Sequence, residues 1–181
     1  MVEYSEQWED NEFPLAYLIT IRTYGTWLHG DKRGSIDVHG KNVFGSPKIS
    51  HREKLENRMK ENLRDAAFIF DEKQRQAVEE SIKETCQIRS YELLAVNVRT
   101  NHLHAVVAAQ SKPEIIINGF KSHATRKLKE NYLILKDTRV WSRGGSNRYL
   151  WKKSHVDLAI DYVLFGQGLL SFEKQTHLPS E

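Results

Sequence analysis

Segments with strand and helix patterning follow one another as β, α, β, β, α, β before a last helix, an order that predicts a ferredoxin-like α+β sandwich with helices on one face of an antiparallel sheet. The run Val98-Arg-Thr-Asn-His102-Leu103-His104-Ala-Val-Val107 reads as one of its strands. Alternation sends His102 and His104 to one face and Asn101, Leu103, Ala105 and Val107 to the core side. A further segment repeats Ile116, Phe120, Ala124 and Leu128 at helical spacing, the apolar stripe such a sheet needs above it. The histidines then occupy the face left open, where the last helix can lie across them. Two imidazoles so placed can hold one divalent cation, or simply decorate a solvated sheet.

The first strand is Pro14 to Thr23, rich in β-formers that alternate in polarity toward its end. Tyr24 to Ser50 follows with Gly25, Gly30, Gly34, Gly40 and Gly45 and few apolar positions, a long loop of the functional kind. A short polar helix fits about 50–63. Asp71 then caps a longer helix with Gln74 at its third position, and Ala77, Val78, Ile82, Thr85 and Cys86 recur on its inner face. Tyr91–Val98 and Leu103–Ala109 read as paired strands. Ser111-Lys-Pro113-Glu114 has the form of a capping box opening the helix of the apolar stripe. Val140 to Trp151 predicts a hairpin turning at Gly144 and Gly145, and Ser154-His-Val-Asp157 predicts the cap of the last helix, which runs through Tyr162 toward Gly166.

At 181 residues the chain suits one domain over 1–181, with a core from about 14 to 168 and a loop insertion over about 24–50. It contains no apolar run of membrane-spanning length, and the acidic, polar start is unlike a signal peptide, so a cytoplasmic protein with no membrane partner is expected. The single cysteine, Cys86, excludes an internal disulfide and a multi-cysteine zinc site and reads as a buried thiol. Net charge is only +3, but between Lys121 and Lys153 ten lysines and arginines face only Glu130 and Asp137. Lys121, Arg126, Lys127, Lys129, Arg143, Arg148, Lys152 and Lys153, with Trp141, Tyr149 and Trp151 among them, suit a surface that neutralises phosphates and stacks bases. A solvated helix face explains the lysines equally well and the clustered aromatics less well.

Tyr162 can be a packing residue of an amphipathic helix or a nucleophile. A phenol with an ordinary pKa near 10 needs assistance, and a metal that polarises a phosphate supplies it from the other side. Asn101-His102-Leu103-His104 on a strand, a basic helix after it and Asp161-Tyr162-Val-Leu-Phe-Gly-Gln167 on a late helix resemble the single-tyrosine HUH transposases of the insertion-sequence and REP-associated group. Thr23-Tyr-Gly-Thr-Trp-Leu-His-Gly-Asp31-Lys-Arg-Gly34 and Trp141 to Trp151 are similar to blocks of one branch of that group, so the resemblance spans about 15–168. It implies that His102 and His104 bind Mg²⁺ or Mn²⁺ and that Tyr162 attacks a phosphate of single-stranded DNA. A 5′-phosphotyrosine link and a free 3′-hydroxyl result, with no nucleotide cofactor. It also implies recognition of hairpin ends and leaves a monomer or a homodimer open. Several relatives carry a polar metal ligand four residues after the tyrosine, where this chain has Gly166; Gln167, or Asp31 of the glycine-rich loop, is then the candidate third ligand. A non-catalytic hairpin-binding descendant, an unrelated two-histidine metalloenzyme and a replication initiator or relaxase are the competing expectations.

Overall fold

The computed structural model describes residues 12–27 and 53–166. It contains β1 (Ala16–Arg22), α1 (Glu53–Glu61), α2 (Glu72–Arg89), β2 (Glu92–Val98), β3 (His102–Ala108), α3 (Pro113–Glu130), β4 (Ser146–Leu150) and α4 (Lys153–Phe165). The sheet order is β2-β3-β1-β4 with every neighbour antiparallel, the expected ferredoxin-like arrangement. Most of the long loop expected after β1 lies outside the described residues.

Alternation along β1 and β3 sorts the interior into two clusters. Tyr17, Ile19, Ile21, Leu103, Ala105 and Val107 meet Val78 and Ile82 of α2 and Ile116, Phe120 and Leu128 of α3. Burial of each large aliphatic or aromatic side chain there contributes about 1.5–3 kcal/mol. On the other face, Ala16, Val106 and Leu150 pack under Val156, Ala159 and Val163 of α4. Because α4 covers this face, the central strand β3 is buried on both sides, which is why its sequence is apolar almost throughout. Asn101 departs from the expected pattern: it precedes the strand, half-buried, and its side chain accepts from His102 instead of entering the core.

The Asp71 cap forms as expected. Its carboxylate accepts from the Gln74 N–H at 2.8 Å, while the Gln74 side chain accepts from the Asp71 N–H at 3.0 Å. The other two expected capping boxes do not form. Helix α3 starts from Lys112, with no side-chain cap and Pro113 as its first residue. A residue before proline is disfavoured in the helical region, so Lys112 stays extended and Ser111 falls one residue too early to cap. Helix α4 starts from Lys152. Leu150 and Val156 pack in one cluster, so only Trp151 and Lys152 bridge strand and helix, and Ser154 lies inside the first turn.

The expected hairpin at Gly144–Gly145 is replaced by an interrupted strand. Both flanks pair with the same neighbour: Ser146–Leu150 with β1, and Trp141 with Thr23 just beyond it. The Ser142 N–H donates to the Arg22 carbonyl at 3.0 Å and the Tyr24 N–H to Val140 at 2.9 Å, continuing the pairing. The two glycines take up a register slip, with Gly144 at φ +70°. A Cβ on Gly145 would lie 3.1 Å from Ile117 and 3.2 Å from the Thr20 carbonyl, so the backbone here must approach α3 bare. Turn chemistry suggested a reversal because local sequence does not reveal that β1 needs a partner along its full length.

Cys86 is 2% exposed on the inner face of α2, and burial pushes its thiol up to about 11. At pH 8 only about one such thiol in a thousand is ionised. Native protein should therefore react with a disulfide reagent such as DTNB far more slowly than protein in denaturant; equal rates would contradict the burial.

Candidate active site

His102 and His104 stand side by side on β3, ring centres 4.9 Å apart, on the face beneath α4. Each commits Nδ1 to an anchor inside the protein. His102 Nδ1 donates to the Asn101 side-chain oxygen at 2.7 Å, since an amide oxygen can only accept. His104 Nδ1 is 2.8 Å from the Thr20 hydroxyl, the residue paired with it across the sheet. These contacts orient the rings. Burial, with smaller contributions from His102 and Arg22, lowers His104 to about 4, so it is neutral at ordinary pH and keeps a lone pair. A neutral His104 beside a second oriented imidazole fits a divalent ion that accepts nitrogen, such as Mn²⁺. Among the described residues no cluster of three His, Cys, Asp or Glu forms, and the candidate third ligands Asp31 and Gln167 both lie outside the described residues.

Tyr162 sits over this pair. Its ring centre is 5.4 Å from that of His104, at 73° between the planes, and the residue is 45% exposed. Val156, Ala159 and Val163 hold the helix down, whereas Tyr162 lies outside the apolar cluster. The side-chain N–H of Asn97, the residue of β2 paired with His104, donates to the Val163 carbonyl at 2.9 Å. Asn97 thereby fixes the height of the helix beside the tyrosine. Gly166 caps the helix, its N–H donating to the Tyr162 carbonyl. A Cβ at 166 would come within 2.8 Å of that carbonyl and 2.9 Å of the tyrosine ring, so the position four after Tyr162 has no room for a side chain.

Residues 60–161 match the family described as "Transposase IS200 like", a span of more than half the chain that includes both histidines and ends one residue before Tyr162. The chain belongs to this family. It is accordingly a transposase, an enzyme of DNA-cleaving type. Among solved structures it is similar to a REP-associated tyrosine transposase bound to a REP hairpin, at 12% identity over 92% of this chain and 72% of that one, with a TM-score of 0.47. It is also similar to a Deinococcus radiodurans R1 protein assigned as a transposase, at 9% identity over 94% and 97%, with a TM-score of 0.43. No curated protein matches. Among the described residues no helix is long and apolar enough to cross a membrane.

The basic residues of this transposase separate by their partners. Lys127 pairs with Glu84 and, at 3.6 Å, with Glu80, tying α3 to α2. The ammonium of Lys121 is half-buried, held by the carbonyls of Ser142 and Gly144. Both therefore brace the fold. Arg126 and Lys129 line an open groove of about 560 Å³ between α3 and Trp141. Trp141 itself is structural: its indole N–H donates to the Lys121 carbonyl and the Thr125 hydroxyl, and its ring meets Phe70 edge-on. Arg143, Arg148, Lys152 and Lys153 are exposed around β4, where Tyr149 and Trp151 stack at 6.2 Å and 14°, each about half exposed. The groove lies on the α2/α3 side of the sheet and the histidines on the α4 side; Tyr149 meets Tyr17 of the α2/α3-side cluster edge-on, so the aromatic pair belongs to the groove's side of the edge strand. Thr20, Asn97 and Arg22 escaped the sequence reading. Arg22 carried a signal, a charge at a position that alternation assigns to the covered face of a central strand.

Proposed function

We propose that the protein is a single-tyrosine HUH transposase that cuts and rejoins single-stranded DNA through a 5′-phosphotyrosine intermediate. The observation that supports this most is the Tyr162 ring lying over His104 within one chain, on a helix tied to the sheet beside that histidine. His102 and His104 would hold Mg²⁺ or Mn²⁺, with Asp31 or Gln167 as the candidate third donor, and the ion when bound supplies electrophilic polarisation of the phosphate. The Tyr162 oxygen forms a bond to phosphorus as the bond from phosphorus to the 3′-oxygen breaks. The phenol proton passes to water at this half-exposed position, and the 3′-oxygen is protonated on leaving. One phosphoester replaces another, so a later attack by a 3′-hydroxyl restores the DNA without a nucleotide cofactor.

Arg126, Lys129, Arg143, Arg148, Lys152 and Lys153 would neutralise phosphates, and Tyr149 with Trp151 would stack bases of a strand passing from a hairpin to the cut. The test is to mix the protein with labelled single strands from the DNA flanking its own gene, with and without Mn²⁺. A metal-dependent, denaturant-resistant adduct supports cleavage; tight binding with intact strands favours a non-catalytic hairpin binder. Replacing Asn97 by alanine loosens the tyrosine helix and should slow adduct formation by about 10- to 100-fold while strand affinity stays within about twofold. An unchanged rate would remove Asn97 from the positioning of Tyr162.

A further inference from the structure

Leu18, Thr20 and Arg22 of β1 face the histidines, while Ile19 and Ile21 face the helix-covered core. The Cα of Arg22 is paired with that of His102, and side chains so opposed begin about 4.5–5.5 Å apart. Arg22 thereby brings a positive charge to the strand pair that carries the histidines, which opposes any cation they bind. Its guanidinium carbon lies 3.5 Å over the centre of the Trp27 ring, a cation–π contact that holds the head group in place.

The backbone is held as firmly. Both the N–H and the hydroxyl of Ser142 donate to the Arg22 carbonyl, at 3.0 and 3.1 Å. The next residue, Thr23, is fully buried and gives its N–H and its hydroxyl to the Asn101 carbonyl, each at 3.0 Å. Asn101 in turn holds His102. Arg22 and His102 are thus parts of one rigid unit.

We infer that Arg22 is a catalytic residue, gripping a non-bridging oxygen of the scissile phosphate between the histidine pair and Tyr162, an inference that rests on the cleavage reading above. A planar fork can donate two parallel hydrogen bonds to a phosphate, and a pre-positioned one stabilises the charge that builds on those oxygens as the tyrosine adds and the 3′-oxygen leaves. Lysine would keep the charge and lose the fork.

The test compares wild-type protein with Arg22→Lys and Arg22→Ala on one flanking single strand in Mn²⁺, and measures Mn²⁺ binding alone by calorimetry. Adduct formation should fall about 100-fold in Arg22→Ala and about 10-fold in Arg22→Lys, with strand affinity within about threefold of wild type. Affinity for Mn²⁺ alone should equal or exceed that of wild type, because a like charge has gone. Mn²⁺ affinity falling in step with the rate makes Arg22 a mere support for His102 and overturns the proposal. So does an Arg22→Ala protein that cleaves at wild-type speed. Wild-type protein that forms no adduct overturns the cleavage reading and this proposal with it.

Discussion

Tyr162→Phe should reduce covalent adduct formation by about 1,000-fold or more while changing the affinity for the same strand by less than about 0.5 kcal/mol. The substitution removes one oxygen. The ring and its edge contact with His104 remain, and the helix is still held by Val156, Ala159, Val163 and the Asn97 hydrogen bond. Nothing that positions DNA is lost, only the atom proposed to form the bond to phosphorus. Gel mobility in native and denaturing conditions separates the two effects. Adducts forming in Tyr162→Phe at the wild-type rate would assign the nucleophile elsewhere, and a loss of binding equal to the loss of cleavage would make Tyr162 a DNA contact.

His102→Ala should lose both metal-dependent cleavage and metal-dependent stability. A ligand that binds only the folded state stabilises it by about 2.7 kcal/mol at a hundred times its dissociation constant, worth about 5–10 °C in Tm for a chain of this size. Wild-type protein should show that rise with Mn²⁺ and His102→Ala should show little of it, while their melting points without metal stay close because His102 is only half-buried. His104→Ala tests the same site less cleanly. His104 is 7% exposed and bonded to Thr20, so its loss also leaves a hole under α4 and costs about 1–3 kcal/mol without metal. A full Mn²⁺ response in His102→Ala would contradict the histidine pair as the metal site.

The sheet face of the histidines was legible because strand alternation is strict: a period of two leaves His102 and His104 no choice but one side. The Asp71 cap and the α3 stripe were legible for the same reason, since local spacing determines them. Features that depend on distant partners were not. Gly144 and Gly145 look like a turn until β1 is seen to pair with both flanks, and Ser154 looks like a cap until Leu150 and Val156 are seen in one cluster. Lys121 and Lys127 counted as surface charge in the sequence, yet one is held by carbonyls across the groove and the other by glutamates of α2. Asn97 and Thr20 carry no motif, because their roles arise only from the register that brings β1, β2 and β3 together.

The most direct measurement is to isolate the adduct formed with a short labelled strand, digest it with trypsin and locate the nucleotide by mass spectrometry. Attachment of a 5′-phosphate at Tyr162, in a reaction that requires Mn²⁺ or Mg²⁺, is the expected result. Attachment at another residue, or strands cut with no nucleotide bound to the protein, would contradict a tyrosine nucleophile poised over the histidine pair.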